Sequence, residues 1–311
     1  MSFQVPASFQ TKYKNNVEMV LQQQRSKLRA AVMEQHDAGA EMVKVKDLVG
    51  NSAPQEASER HGDTKYGNTS HDGVWLSKPN ELYFAELVDN ADKLATSIEL
   101  TGSYVTAGAG TVRRAWDQRI LEGFYDPIVS GSDKQKISTP FPSSNILPAT
   151  LGGGGSATKL NTNKLRGANK MLTQQYALED EEIERFMVLT ADDNDALLTE
   201  VPATSEDFKS SYGGVVYKGK LQTLLGWTFI HLELDNPLLG PISDLATDGS
   251  GYRKTPFWVK PGLCMNFWQE TNTSIDKVPT KQLSTQVWAG TTASCTRTQA
   301  GQSGILLNVK G

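Results

Sequence analysis

The residues most able to do chemistry gather in one polar run, where His61, Asp63, His71 and Asp72 place two imidazoles and two carboxylates within twelve positions. A transition metal needs three or four such ligands at a spacing that turns them onto one point, and this run matches neither HExxH nor another closed ligand motif. Polar loops collect His and Asp for solubility alone, so a solvated loop with no metal is expected. The remaining histidines, His36 and His231, have no GxSxG, SxxK or Cys/His partner that would make a nucleophile. Cys264 and Cys295 lack a CxxC neighbour, which predicts two buried thiols and neither a disulfide framework nor a zinc site. Four glycines, Gly152 to Gly155, precede Ser156 but no GK[ST] follows and no strand leads in, so they predict a flexible loop and no phosphate cradle. The segment 244–254, DLATDGSGYRK, has the composition of a calcium loop without its spacing. No catalytic, cofactor or metal site is expected.

The chain that must position these groups has 311 residues, 38% hydrophobic and 21% charged, with a net charge of -4 and a mean hydropathy of -0.41. That balance excludes a helical membrane protein and a disordered chain, and a length in this range buries about three quarters of the unfolded surface. A net acidic surface also argues against an all-round basic coat for gripping nucleic acid. The start, MSFQVPASFQTKYKNN, has no apolar secretory core, so synthesis in a reducing cytoplasm is expected.

Periodicity then sets the elements. Val17, Val20, Leu21, Leu28, Ala31 and Val32 predict an amphipathic helix over 15–35 with Gln22, Gln23, Arg25, Lys27 and Arg29 on its wet face. Strand-like residues Val43, Val45 and Val49 and then Val74 to Leu76 bracket the polar run 53–73, which predicts a two-stranded arm standing off the body. Val105, Ala109, Val112, Trp116, Ile120 and Phe124 predict a long helix over 103–124, capped by Thr101 or Ser103 and stopped by Gly123 and Pro127. Its charges Arg113, Arg114, Asp117, Arg119 and Glu122 resemble an ion-paired helix face. Residues 127–164 read as Gly-, Ser- and Pro-rich loop; 164–178 and 191–200 read as helices around a strand at 186–190, with Thr190 and Asp192 starting the second. Strands follow in 213–235, 256–270, 286–295 and 304–309, with Trp227, Trp258, Trp268 and Trp288 as core aromatics.

Three segments, in order, resemble the major capsid proteins of tailed bacteriophages with the Hong Kong 97-type fold. They are VEMVLQQQRSKLRAAV (17–32), ERHGDTKYGNTSHDGVWL (59–76) with the block from 83 to 125, and LQTLLGWTFIHLE (221–233) with PFWVKPGLCMNF (256–267). Lys65 and Ser70 stand where that group usually shows proline. The resemblance implies an α+β fold with an amino-terminal arm (1–42), an extended loop (43–85), a peripheral domain (86–139 and 270–311) built on a spine helix at 103–125, and an axial domain (140–269). It implies a structural protein of an icosahedral virion shell, not an enzyme, assembled in the host bacterial cytoplasm. The expected partners are further copies in pentamers and hexamers, a portal protein, separate scaffolding and decoration proteins, and double-stranded DNA held by weak contacts, with no membrane and no covalent crosslink. Within the arm and extended loop, Leu21, Arg25, Leu28, Arg60, His61, Asp63, His71, Asp72 and Trp75 are the expected inter-subunit contacts. The rival readings are an encapsulin-like nanocompartment shell and a soluble α/β enzyme.

Overall fold

A computed structural model of the chain describes residues 23, 25–50, 54, 56, 63–64, 66, 71–88, 100–132, 135–180, 182–200, 215–234 and 242–310. Its longest element is helix α1, Leu100–Tyr125, which at ~1.5 Å per residue spans about 39 Å. Val112, Trp116, Ile120, Leu121 and Phe124 form its buried stripe. Thr101 and Ser103 lie inside the helix and do not cap it. Nor does Gly123 stop it, because the helix continues to Tyr125 and ends where Pro127 cannot donate. Gly123 serves close packing: a Cβ there would collide with the backbone carbonyl of Cys295.

Four strands lie along this helix in the order β1 (Met33–Gln35), β13 (Leu263–Val278), β14 (Ser284–Arg297) and β4 (Leu82–Val88). β1 runs parallel to β13, and the other two pairings are antiparallel. The sequence reading of a helix over 15–35 fails in its described part. Arg29–Ala31 form a single 3-10 turn and Met33–Gln35 a strand, because sheet pairing to β13 and hydrogen bonds to α1 satisfy this backbone where a helix would satisfy itself.

A second sheet has seven strands. Its order is β7 (Ile146–Leu147), β15 (Ser303–Asn308), β12 (Arg253–Val259), β8 (Arg185–Leu189), β11 (Trp227–His231), β10 (Lys220–Leu224) and β9 (Val215–Tyr217). Its central strands are buried on both faces. Phe186, Val188, Trp258 and Ile305 join the core beneath α1, whereas the alternating Met187, Leu189, Phe257, Val259 and Leu306 join a second core. The second core is closed by helix α2, Thr162–Gln174. Helix α3, Ala191–Thr199, adds Leu197 to it. Asn161 caps α2 by accepting from the Lys164 amide at 2.9 Å. Thr190 caps α3 as expected, but Asp193 and not Asp192 closes the reciprocal capping box. Trp227 and Trp258 are fully buried, while Trp268 and Trp288 are only half-buried.

The third sheet corrects two expectations. β2 (Met42–Val49) and β3 (His71–Ser77) pair as an antiparallel ribbon, but β3 also pairs β5 (Ile128–Ser132), which pairs β6 (Gln135–Thr139). The described root of the arm is therefore a four-stranded sheet and not a free ribbon. The segment from 128 to 139, read as loop, is a hairpin: its short side chains hid strands that form because β3 offers an open edge. Val43, Val74, Leu76 and Ile128 bury one face of it.

Replacing Trp258 by alanine removes a fully buried indole from the α1 core and is expected to lower the unfolding free energy by ~3–5 kcal/mol. Urea denaturation checks this, with Trp268→Ala, at a half-buried site, costing less than half as much.

Candidate assembly surfaces

Asp117 is the most unusual charge on α1. It follows Trp116 on the buried side of the helix and is fully buried itself. Its two oxygens accept from the amides of Lys27 (3.0 and 3.2 Å) and Leu28 (3.1 Å) and from the Ser26 hydroxyl (2.6 Å). The Gln23 carboxamide donates as well. One carboxylate thus collects the backbone donors of the chain as it comes onto the body. Burial pushes its acidity down, raising its pKa, while these donors pull the other way. The sequence reading placed Asp117 on an ion-paired face. Its spacing to Leu121 and Phe124, four and then three residues on, is the signal that puts it on the buried stripe.

Next to this latch, Arg29 donates from Nε and Nη2 to the two oxygens of Glu34, both at 2.8 Å. A third contact, from Nη1, reaches Glu270 at 2.6 Å. The guanidinium also stacks 4.7 Å from the Trp116 ring and 4.8 Å from the Phe267 ring. It ties the incoming segment to β13 and α1 together, and Glu34 beside it is held below the usual carboxylate range. Arg114 donates to the Gln23 carbonyl at 2.8 Å, and Arg119 pairs Glu122 at 2.9 Å.

Trp75 sits on the outer face of the third sheet. Its indole N–H donates to the Gly131 carbonyl at 3.0 Å, and the ammonium groups of Lys136 and Lys44 lie 4.5 and 5.7 Å from its ring centre. His71 and Asp72 open β3 and are exposed, as are Arg25 and Asp63. Leu28, expected at a subunit contact, is fully buried in its own chain's core, where it anchors the incoming segment. Leu21, Arg60 and His61 lie outside the described residues. Sequence reasoning missed Lys44 and Lys136, which reach Trp75 from strands on either side.

A buried polar cluster holds the seven-stranded sheet to its helices. The Lys164 ammonium donates to the carbonyls of Thr158 (2.7 Å) and Leu307 (2.9 Å) and to Asn308 Oδ1 (2.8 Å). Burial pushes its pKa down to about 8. Arg253 donates to Thr190 Oγ1 and pairs Asp193 and Asp192, and Asn308 donates to Thr255 at 2.9 Å. Apart from the bond to Thr158, in the loop ahead of α2, the hydrogen bonds of this cluster link the carboxy-terminal strands to α2 or α3 or to one another.

Cys264 and Cys295 are both buried free thiols, and burial pushes the Cys264 thiol up to about 11. Among the described residues no three His, Cys, Asp or Glu side chains converge to hold a metal, and no helix is long and apolar enough to cross a membrane. The four glycines form a turn ahead of α2.

A long helix laid along a four-stranded sheet, a helix-covered seven-stranded sheet and a further four-stranded sheet are the parts of a Hong Kong 97-type shell subunit. Solved capsids confirm the fold. The cyanophage P-SCSP1u capsid superposes with a TM-score of 0.69 at 10% identity over 96% of this chain and 93% of that one. The Ralstonia phage GP4 capsid gives 0.66 at 10% identity over 100% and 98%, and Mycobacterium phage Che8 gives 0.60 at 15% identity over 94% and 97%. A search of curated proteins finds no match. The chain belongs to the phage capsid protein family, whose model matches residues 5–309. It is a major capsid protein of a tailed-phage head, a structural component of the virion and not an enzyme. Capsid assembly implies association of many copies.

Two outcomes follow for the charged groups. Asp117→Ala leaves the buried amide of Leu28 without its acceptor, a loss of ~1–3 kcal/mol, so trypsin is expected to cut after Arg25 and Lys27 roughly tenfold faster than in the wild type. The folded pKa of Lys164 lies below its ordinary value of 10.5, so the unfolded chain binds more protons between about 8 and 10.5 and stability from this group rises with pH across that window. Denaturation midpoints of wild type minus Lys164→Met should therefore grow from pH 8 to pH 10; a flat difference contradicts the shift.

Proposed function

We propose that copies of this protein close into an icosahedral shell of pentamers and hexamers around double-stranded DNA, with the arm and the extended loop as the reach from each subunit to the next. The observation that carries this reading is the third sheet. Its root is folded and packed, and the polar run 53–73 enters it only at His71–Gly73 and is too polar to bury a core of its own. Such a segment is stabilised when a neighbour supplies the missing surface, and repetition of one modest contact around a closed lattice supplies the total energy. Within it Arg60, His61, Asp63, His71, Asp72 and Trp75 face the next subunit, and in the arm Leu21 and Arg25 do so, while Leu28 fixes where the arm leaves the body.

The division we propose is arm 1–42, extended loop 43–85, peripheral domain 86–139 with 270–311 and axial domain 140–269, amended in two places: β15 pairs β12 and β7 and goes with the axial sheet, and β5 and β6 pair β3 and go with the extended loop. A net charge of -4 suits a wall that touches packaged phosphates weakly. A portal protein at one vertex completes the head, and scaffolding and decoration, where used, come from separate chains.

Deletion of residues 55–72 tests the reading. The shortened chain is expected to keep its far-ultraviolet circular dichroism and to form no closed shells by light scattering and negative-stain microscopy. Wild-type shell yield after the deletion would overturn the extended loop's role.

A further inference from the structure

His231 ends β11 half-buried, and no metal-ligand set among the described residues uses it. Its Nε2 lies 2.8 Å from the Leu221 carbonyl oxygen. A carbonyl can only accept, so Nε2 carries the hydrogen and Nδ1 is where a second proton adds.

The place for that second charge is crowded with cations. The backbone carbonyl of His231 accepts from the Lys27 ammonium at 2.7 Å, and Lys220 opens β10 one position before Leu221. Glu233, two residues on, is the carboxylate that faces the ring, and its Oε1 is already engaged by the Ala191 amide at 2.8 Å. Burial first, then Lys220 and Lys27, hold the pKa of the imidazole below its ordinary 6.5, against the Leu221 carbonyl and Glu233. Lys27 in turn faces Lys220, Asp117 and Glu233. Its amide donates to Asp117 of α1 at 3.0 and 3.2 Å, while its ammonium reaches the seven-stranded sheet at His231. One residue thus ties the incoming segment to the long helix and to that sheet at once.

We propose that the Lys27–His231–Lys220 cluster is a pH-sensitive clasp: a proton added to His231 repels Lys27 and loosens residues 25–28 from the body. The clasp belongs to the single chain and does not rest on the shell reading. Its sign follows from linkage. A docked Lys27 makes the ring harder to protonate, so a protonated ring makes Lys27 harder to dock by the same factor. The segment is held most firmly above pH 6.5, the ring's ordinary value, and opens more often as the pH falls below it. Leu28, fully buried, and Arg29, paired with Glu34, remain as the anchor, so the response is a local opening and not a loss of fold. Lys27 and Lys220 are both exposed, and water weakens the repulsion to a severalfold effect.

Two measurements on the purified protein, suited to free chains and to assembled particles alike, test the clasp. Backbone hydrogen exchange of a peptide covering 25–28, corrected for the intrinsic pH dependence of exchange, is expected to report about threefold more opening at about pH 5.5 than at about pH 7.5. His231→Gln keeps a donor for Leu221 and cannot become charged, so that difference should vanish. Slow deuteration of the His231 ring carbon Cε1, followed by mass spectrometry across pH, gives the titration midpoint of the ring. The midpoint should rise in Lys27→Met and in Lys220→Met. A midpoint that stays in place in Lys27→Met, or an opening that depends on pH equally in His231→Gln and wild type, overturns the proposal. Because Lys27 is exposed, the midpoint measurement decides the matter even where His231→Gln fails to fold.

Discussion

Close contact between α1 and β14 is the constraint on which the other elements depend. Gly123 brings the helix backbone against the Cys295 carbonyl, and that approach fixes the depth at which Trp116, Ile120 and Phe124 enter the core. From this depth the Trp116 indole N–H reaches the Thr291 hydroxyl at 2.9 Å, and the adjacent Asp117 is buried where the incoming chain crosses. A helix held even slightly further out would leave that carboxylate half in water and the amides of Lys27 and Leu28 without a shared acceptor. The position at which the first segment leaves the body is therefore set by a glycine 95 to 96 residues further along the chain.

β12 does the corresponding work for the other half of the molecule. Phe257 and Trp258 are neighbours in sequence and both fully buried, yet they belong to opposite cores. A strand buried on both sides cannot shift register without exposing one set of side chains and burying the other wrongly. The hydrogen-bonded cluster around Lys164, Arg253 and Asn308 pins this strand and its neighbour β15 to the helices at their far end.

Much of this was legible in the residues and some was not. The long helix, the helices read at 164–178 and 191–200 and the strands of the last hundred residues announced themselves by period, and the second of those helices also by its Thr190 cap, since burial on one or two faces leaves a pattern. The segment 25–35 did not. Leu28, Ala31 and Val32 fall at helical spacing but are buried as a turn and a strand, because their partners, Asp117 and β13, are distant in sequence. The hairpin at 128–139 was hidden for the same reason: Ser, Gly and Thr carry little strand signal until β3 supplies an edge. On the third sheet Trp75 stood out as an aromatic at the edge of a polar run, whereas Lys44 and Lys136 reach its ring only through sheet register, which no local pattern encodes.

The central claim is that this chain is a shell subunit whose energy lies between copies. Size-exclusion chromatography with light scattering on the purified protein, with microscopy of the largest fraction, tests it most directly. Uniform, hollow particles of megadalton mass are the expected result, whether the chain assembles alone or with a co-expressed scaffolding protein. A stable species near 34.0 kDa under both conditions would contradict the account.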